Sequence, residues 1–192
     1  MVELSKNYRN DNDIEVQFEN INLNVIESTF SRYYISKEYR TSDDEVSSML
    51  LDLKNENNGG LGLPYFTQIV RDHFLSKNLK IKNFDIVIRA LSSGETGKLK
   101  HGPIDQICKL IAKLTGSIYD PSVLKKSRKT EQLKFLDKES RRNELRGVYQ
   151  INNPVFLSKK RILIVDDIST SGATLNAIIH AIKSSVPDVE IC

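Results

Sequence analysis

The run Ile162-Leu163-Ile164-Val165 constrains this chain more than any other stretch. Four apolar residues without a polar interruption read as a strand buried on both faces, the kind found inside parallel sheets. Asp166 and Asp167 follow at its carboxyl end, then the small, hydroxyl-rich turn Ser169-Thr170-Ser171-Gly172-Ala173-Thr174. Beyond it Leu175, Ile178, Ile179 and Ile182 share one face of a helix. The order is strand, acidic pair, small-residue turn, helix. Open parallel sheets bind ligands beyond the carboxyl ends of their strands. The unpaired N–H groups of a helix N-terminus favour an anion there. The hydroxyls add donors, and Gly172 lets a ligand approach the backbone. A phosphate fits such a turn. Carboxylates repel phosphate, so the acidic pair needs a separate purpose. It can accept hydrogen bonds from neutral donors, such as two sugar hydroxyls, or face a divalent metal. A ribose 5-phosphate unit, with a diol at one end and a phosphate at the other, satisfies both halves.

Two rival readings compete with this one. Acids at a solvated helix N-terminus suit the dipole with no ligand at all, but that leaves the small-residue turn and Thr174 unexplained. A phospho-acceptor receiver domain also ends its first strand in an acidic pair. It would need most of its sheet downstream, where the sequence gives one helix and then Val186 to Cys192. Neither a G-x-x-x-x-G-K-[ST] loop nor a G-x-G-x-x-G fingerprint occurs.

A chain of 192 residues fits one domain with a proper core. Charged residues at 28% and hydrophobic residues at 39% suit an ordinary globular protein. A net charge of +3 does not by itself imply nucleic acid. Cys108 and Cys192 form neither a disulfide framework nor a zinc module. Met1 to Asp13 is polar, and no run is apolar enough to span a membrane, so a cytoplasmic location is expected.

Elsewhere the patterns give elements. Alternating Ile14, Val16 and Phe18 open a ribbon expected over 14–36. Val46, Met49, Leu50 and Leu53 mark one helix, and Phe66, Ile69, Val70 and Phe74 the next. A second core strand runs from Phe84 to Leu91 and feeds the loop Ser92 to Gly102, which holds three glycines, two lysines and a histidine. Such a loop, with Arg89 just before it, suits a pyrophosphate; composition alone equally allows a solvated turn. Pro103 opens a helix carrying Ile104, Ile107, Cys108 and Ile111, and a further strand is expected from Ser117 toward Leu124. The basic run Lys125-Lys126-Ser127-Arg128-Lys129-Thr130 reads as a solvated loop or as a flexible loop closing over an anion. A polar helix is expected over Glu131 to Leu145, and Val189 to Ile191 forms a minimal last strand.

The segment Ile162 to Thr174 resembles the phosphoribosyl pyrophosphate (PRPP) motif of the type I phosphoribosyltransferases: apolar strand, two acids, an apolar residue, then x-T-x-G-x-T. The resemblance implies an open, mostly parallel sheet flanked by helices, with residues 84–192 as the PRPP-binding core and 1–60 as an N-terminal β/α extension or hood of one domain. It implies that Asp166 and Asp167 hold the ribose hydroxyls and that Ser169, Thr170, Ser171, Gly172, Ala173 and Thr174 hold the 5′-phosphate. Arg89, Ser92, Ser93 and Gly94 take the pyrophosphate loop, and Lys125, Lys126 and Arg128 a flexible loop above it. The implied reaction moves the phosphoribosyl group from PRPP to a nitrogenous acceptor with release of pyrophosphate. Mg²⁺ is the implied cofactor, without direct protein ligands, and a homodimer is compatible. No catalytic residue is assigned. Thr170 stands where members acting on 6-oxopurines carry an Asp, which argues against hypoxanthine or guanine as acceptor.

Arg128, Thr130, Gln132, Asn143, Gly147 and Tyr149, ahead of the acidic pair, resemble more narrowly the ComF-like phosphoribosyltransferases. Gln132 follows Thr130 one residue early, Ser140 replaces an expected Arg, and that subgroup's N-terminal zinc module is missing. A protein of another class shares the fold: a non-catalytic PRPP or nucleotide sensor, or a DNA-associated protein. For it, Lys125 to Lys129 with Lys159, Lys160 and Arg161 would supply a basic face.

Overall fold

A computed structural model of the chain describes residues 45–55, 60–75, 84–97, 102–168 and 172–191; the ribbon expected over 14–36 lies outside them. Helices α1 (Glu45–Asn55) and α2 (Gly62–Leu75) come first. Strand β1 (Ile86–Arg89), helix α3 (Pro103–Thr115) and strand β2 (Ile118–Tyr119) follow. Strand β3 (Leu124–Lys126) leads through a 3₁₀ turn at Leu133–Phe135 and helix α4 (Lys138–Leu145) to β4 (Tyr149–Ile151). A short turn of helix, α5 (Pro154–Leu157), precedes β5 (Arg161–Val165), α6 (Ala173–Ser185) and β6 (Glu190–Ile191).

The main sheet has the order β2-β1-β5-β6, with every neighbouring pair parallel. The expected open parallel sheet flanked by helices is therefore present. Its central strands pair in register, Ile86 with Ile162 through Arg89 with Val165. Alternate residues then divide between two layers. Ile86, Ile88 and Ile162 pack with Ile178, Ile179 and Ile182 of α6. Val87 and Leu163 pack with Ile107, Cys108 and Ile111 of α3, on the other face. Double-sided burial is why both strands read as unbroken apolar runs. From β1 the chain crosses through α3 to β2 at one edge, and from β5 it crosses through α6 to β6 at the other. Strand order reverses between β1 and β5, which makes their carboxyl ends the switch point where such sheets bind ligands.

Two expectations need correction. The strand expected from Ser117 toward Leu124 is two strands in two sheets: β2 joins the parallel sheet, and β3 pairs antiparallel with β4. Lys125 and Lys126 therefore stand in a strand and not in a flexible loop. Leu124 and Lys126 point inward and Lys125 outward, so the strand's own alternation anchors it. The single helix expected over 131–145 is broken at Leu136, which is extended. Asp137 then caps α4, its carboxylate accepting from Glu139 N and Ser140 N at 2.9 Å each, which fixes a new helix start.

The two N-terminal helices close the α3 face. Leu50 and Leu53 are buried with Phe84 and Leu163, and Leu63, Phe66, Val70 and Phe74 pack against the same cluster. Gly62, the first residue of α2, meets the backbone of α1: a Cβ there would lie 2.1 Å from Met49 O and 2.6 Å from Leu53 N. Neither atom can move without shifting the helix. Gly62→Ala should therefore destabilise the protein by about 2 kcal/mol or more, the scale of an overpacked core. Urea unfolding reads it, and a loss under about 0.5 kcal/mol, the range of ordinary surface substitutions, would mean that α1 does not sit this close.

Candidate functional site

The in-register pairing carries one hydrogen bond further, from Ala90 N to Val165 O at 2.8 Å. The loops that leave β1 and β5 thus start level with each other at the switch point. On the β5 side come Asp166 and Asp167. Asp166 Oδ1 accepts from Asp167 N at 2.9 Å, and Asp167 Oδ1 accepts from Ile168 N at 2.7 Å. Asp167 Oδ2 pairs with Lys54 Nζ of α1 at 2.8 Å. Burial, then the like charge of Asp167, pushes the Asp166 carboxyl up to about 7. Ser169, Thr170 and Ser171 lie outside the described residues. Gly172 caps α6 in the left-handed conformation, at φ 68°, and Ala173 and Thr174 open the helix. The structure therefore shows the far end of the expected phosphate turn, leading into the exposed N–H groups of α6. Asn176, one turn in, keeps its Oδ1 buried without a hydrogen-bond partner among the described residues.

On the β1 side, Ser92, Ser93 and Gly94 form a tight turn held from two directions. From below, Glu95 accepts from Ser92 N at 2.8 Å and receives both terminal nitrogens of Arg89 at 2.9 and 2.7 Å. Arg89 Nε donates to Asp105 Oδ1 at 2.9 Å. Asp105 in turn accepts from Gly102 N at 3.1 Å and from the Tyr119 hydroxyl. Burial works against the Arg89 charge, but Glu95 and Asp105 outweigh it and raise the pKa of the guanidinium above its ordinary value. Burial followed by the bond to Asp105 raises the Tyr119 phenol. Arg89 is only 7% exposed, so the expectation that its side chain faces a pyrophosphate is corrected: two carboxylates inside the fold draw it in.

From the other side comes Lys126. Its Nζ donates to Ser92 O at 2.9 Å and to Thr130 Oγ1 at 2.8 Å, and reaches Ser93 O at 3.4 Å. Thr130 N also donates to Ser93 O at 3.0 Å, and Lys126 N to Thr96 O at 3.2 Å. The loop's carbonyls at Ser92, Ser93 and Thr96 are thus all engaged. The N–H groups of Ser93 and Gly94 have no acceptor among the described residues. A Cβ on Gly94 would meet nothing within 4 Å, so the space beside that amide is open. Carbonyls are tied inward and two amides are left over, the arrangement that backbone anion cradles use.

The expected cations of a flexible loop are placed differently. Lys126 is buried under the β1 loop with its ammonium 5.9 Å from the Tyr149 ring centre, and burial pushes it down to about 8. Arg128 is clasped to Glu144 at 2.6 Å, with a second bond to Glu144 O at 2.9 Å. Arg161 at the start of β5 pairs with Glu190 at 2.8 Å, and Lys160 lies 3.9 Å from Asp85. Of the seven charges offered for a basic face, Arg128, Lys160 and Arg161 are thus paired within the fold, and Lys126 is buried. Among the described residues no group of three His, Cys, Asp or Glu could hold a metal ion, and no helix is long and apolar enough to cross a membrane. Lys54, Glu95, Asp105 and Tyr119 went unnoticed in the sequence. Only Glu95 had a local signal, its place in the glycine-rich loop.

Lys126 yields a pH test. Its folded pKa of about 8 lies below the ordinary lysine value of 10.5, so the unfolded chain holds more protons between those values and stability gains with rising pH there. Lys126→Met lacks this gain. The stability difference between wild type and Lys126→Met should shift in favour of wild type between pH 7 and pH 10 in paired urea melts. Hydrogen exchange at Ser93 to Thr96 should be faster in the variant at both pH values. A pH-independent difference with unchanged exchange would mean that the ammonium does not hold the loop.

Residues 107–192 match the family model of the phosphoribosyl transferase domain. No curated protein gives a significant match to the chain. The matched stretch holds most of α3 and everything after it, including the β3–β4 pair, β5 with its acidic pair, and α6. It supports the likeness to the type I phosphoribosyltransferases, and phosphoribosyl transfer as the general chemistry of residues 107–192.

Proposed function

We propose that the protein binds PRPP with Mg²⁺ and transfers its phosphoribosyl group to a nitrogenous acceptor, releasing pyrophosphate. One observation supports this reading: at a single switch point an acidic pair just beyond β5 stands level with the loop after β1, whose Ser93 and Gly94 amides have no acceptor among the described residues. The 5′-phosphate belongs at Ser169 to Thr174, on the N-terminus of α6. Asp166 and Asp167 accept the ribose hydroxyls. The pyrophosphate lies over Ser93 and Gly94, whose N–H groups are free to donate. In the reaction the bond from C1′ to the pyrophosphate oxygen breaks and a bond from C1′ to the acceptor nitrogen forms. The chain's part is to hold the diol and both phosphate ends, and to steady the charge that collects on the leaving group. Mg²⁺ supplies further neutralisation of the pyrophosphate. It would come with the ligand, since it keeps several waters and needs few protein ligands.

The narrower likeness to ComF-like members belongs to the same proposal. One of the residues that carry it serves the loop, since Thr130 holds Ser93 O and Lys126, while Arg128 ties the segment after β3 to α4. Thr170 in place of an Asp points to an acceptor other than a 6-oxopurine, and residues 1–60 are read as the hood.

The decisive experiment is calorimetric titration of PRPP with Mg²⁺ into the wild type and into Asp166→Asn/Asp167→Asn. The wild type should bind, and the double variant should lose at least about a hundredfold in affinity, two lost hydrogen-bond acceptors at ~1.5 kcal/mol each. The sign with pH follows from Asp166. Its carboxyl is raised to about 7, so below that it carries a proton and no longer accepts through both oxygens. Affinity should be full above pH 7 and fall as pH drops through it. No binding at millimolar PRPP would overturn the proposal. Binding without pyrophosphate release for any nitrogenous acceptor would favour a sensor.

A further inference from the structure

The acidic pair receives a cation from outside the matched domain. Lys54 Nζ lies 2.8 Å from Asp167 Oδ2, and Lys54 belongs to α1, far upstream of residues 107–192. Its reach is built into the packing. Leu50 and Leu53, its neighbours on α1, are 5% and 3% exposed and sit in one cluster with Phe84 and Leu163 of the sheet. On its other flank α1 is fastened to α2 by the close approach of Gly62 and by Leu61 N donating to Asp52 Oδ2 at 2.8 Å. The helix thus arrives at the carboxyl end of β5 as part of the core. Asp167 is then held at both oxygens, Oδ1 by Ile168 N and Oδ2 by Lys54. Each oxygen keeps lone-pair capacity toward the crevice.

We propose that Lys54 is a positioning residue of this site: the N-terminal helical pair supplies it to fix the orientation of the Asp167 carboxylate and to offset one of two adjacent negative charges. Two carboxylates side by side repel each other. A single ammonium on the outer oxygen reduces that repulsion while leaving the pair free to accept hydroxyls. The N-terminal helices thereby complete the diol half of the site. The choice of probes rests on the phosphoribosyl reading; the contact itself does not.

The test uses the full chain as Lys54→Met, Lys54→Arg, Asp167→Asn and the Lys54→Met/Asp167→Asn pair. Ribose 5-phosphate, PRPP with Mg²⁺, and pyrophosphate serve as separate probes in calorimetry. Lys54→Met should weaken ribose 5-phosphate and PRPP by roughly fivefold, the upper end for a partly exposed ion pair. Pyrophosphate affinity should stay within about twofold, because a positioned carboxylate acts on the diol alone. Lys54→Arg should recover most of the loss. In the Asp167→Asn background Lys54→Met should have no further effect, the mark of two residues acting as one. Equal loss for all three probes, or losses that add in the double variant, would overturn the proposal in favour of general attraction. A ligand-free arm follows the carboxyl carbon of Asp167 by NMR at pH 8. Its signal should move in Lys54→Met and return in Lys54→Arg, and an unmoved signal removes the contact. If the wild type takes up none of the probes, the phosphoribosyl reading falls, and the carboxyl signal alone decides whether Lys54 holds Asp167.

Discussion

The pairing of β1 with β5 is the constraint on which the rest depends. These two strands sit at the centre of the sheet, and each sends its crossover to a different side. Their register sets which residues face α3 and which face α6, and a one-residue slip would exchange the two sets. Apolar pattern alone resists such a slip weakly here, because both faces are buried and both sets are aliphatic. Arg89 adds the discrimination. It lies on the α3 side, where Asp105 and Glu95 await it, and the α6 side is lined by Ile178, Ile179 and Ile182. A guanidinium turned into that layer would lose its partners in a medium where an unpaired charge costs several kcal/mol.

The same charge network explains how a loop without apolar side chains keeps its shape. Ser92, Ser93 and Gly94 have nothing to bury, and backbone polar groups next to a core still need partners. Glu95, itself held by Arg89, folds back onto Ser92 N. Lys126 and Thr130 draw the carbonyls toward β3. Two buried cations thus hold one short turn, neither of them directed at a ligand. The desolvation cost of each is offset by the hydrogen bonds that fix the loop. What the network leaves over is the pair of amides at Ser93 and Gly94, and on the phosphoribosyl proposal these are what the turn offers to a pyrophosphate.

The legible parts of the chain were those whose pattern is local. Ile162 to Val165 and Phe84 to Leu91 read as core strands because burial on both faces forbids polar interruption. α3 and α6 read from their apolar stripes, and the acidic pair from its place at a strand's end. The β3–β4 pair was hidden because Lys125-Lys126-Ser127-Arg128-Lys129 looks solvated to any argument from composition. Lys126 goes inside because carbonyls from a loop more than thirty residues away accept its protons, and no spacing rule reports that. Arg89 misled for a related reason: a cation before a glycine-rich loop suits a phosphate, yet its true partner Asp105 stands one helix start further on. Lys54 had no signal in the sequence at all, since its meeting with Asp167 exists only once α1 is packed on the sheet.

The β3–β4 pair also joins the two halves of the crevice. Lys126 from β3 holds the β1 loop, and Tyr149, its cross-strand partner, lies buried where the charge of Asp166, after burial itself, raises its phenol. The ammonium lies over that same ring. One antiparallel pair of three residues a strand therefore holds the β1 loop through Lys126 and feels the charge of Asp166 at Tyr149. A displacement of either strand would be felt at both loops, because register ties Lys126 to Tyr149 directly. On the phosphoribosyl proposal the ligand needs a fixed separation between its diol and its phosphate ends, and the pairing of Lys126 with Tyr149 is one constraint on it.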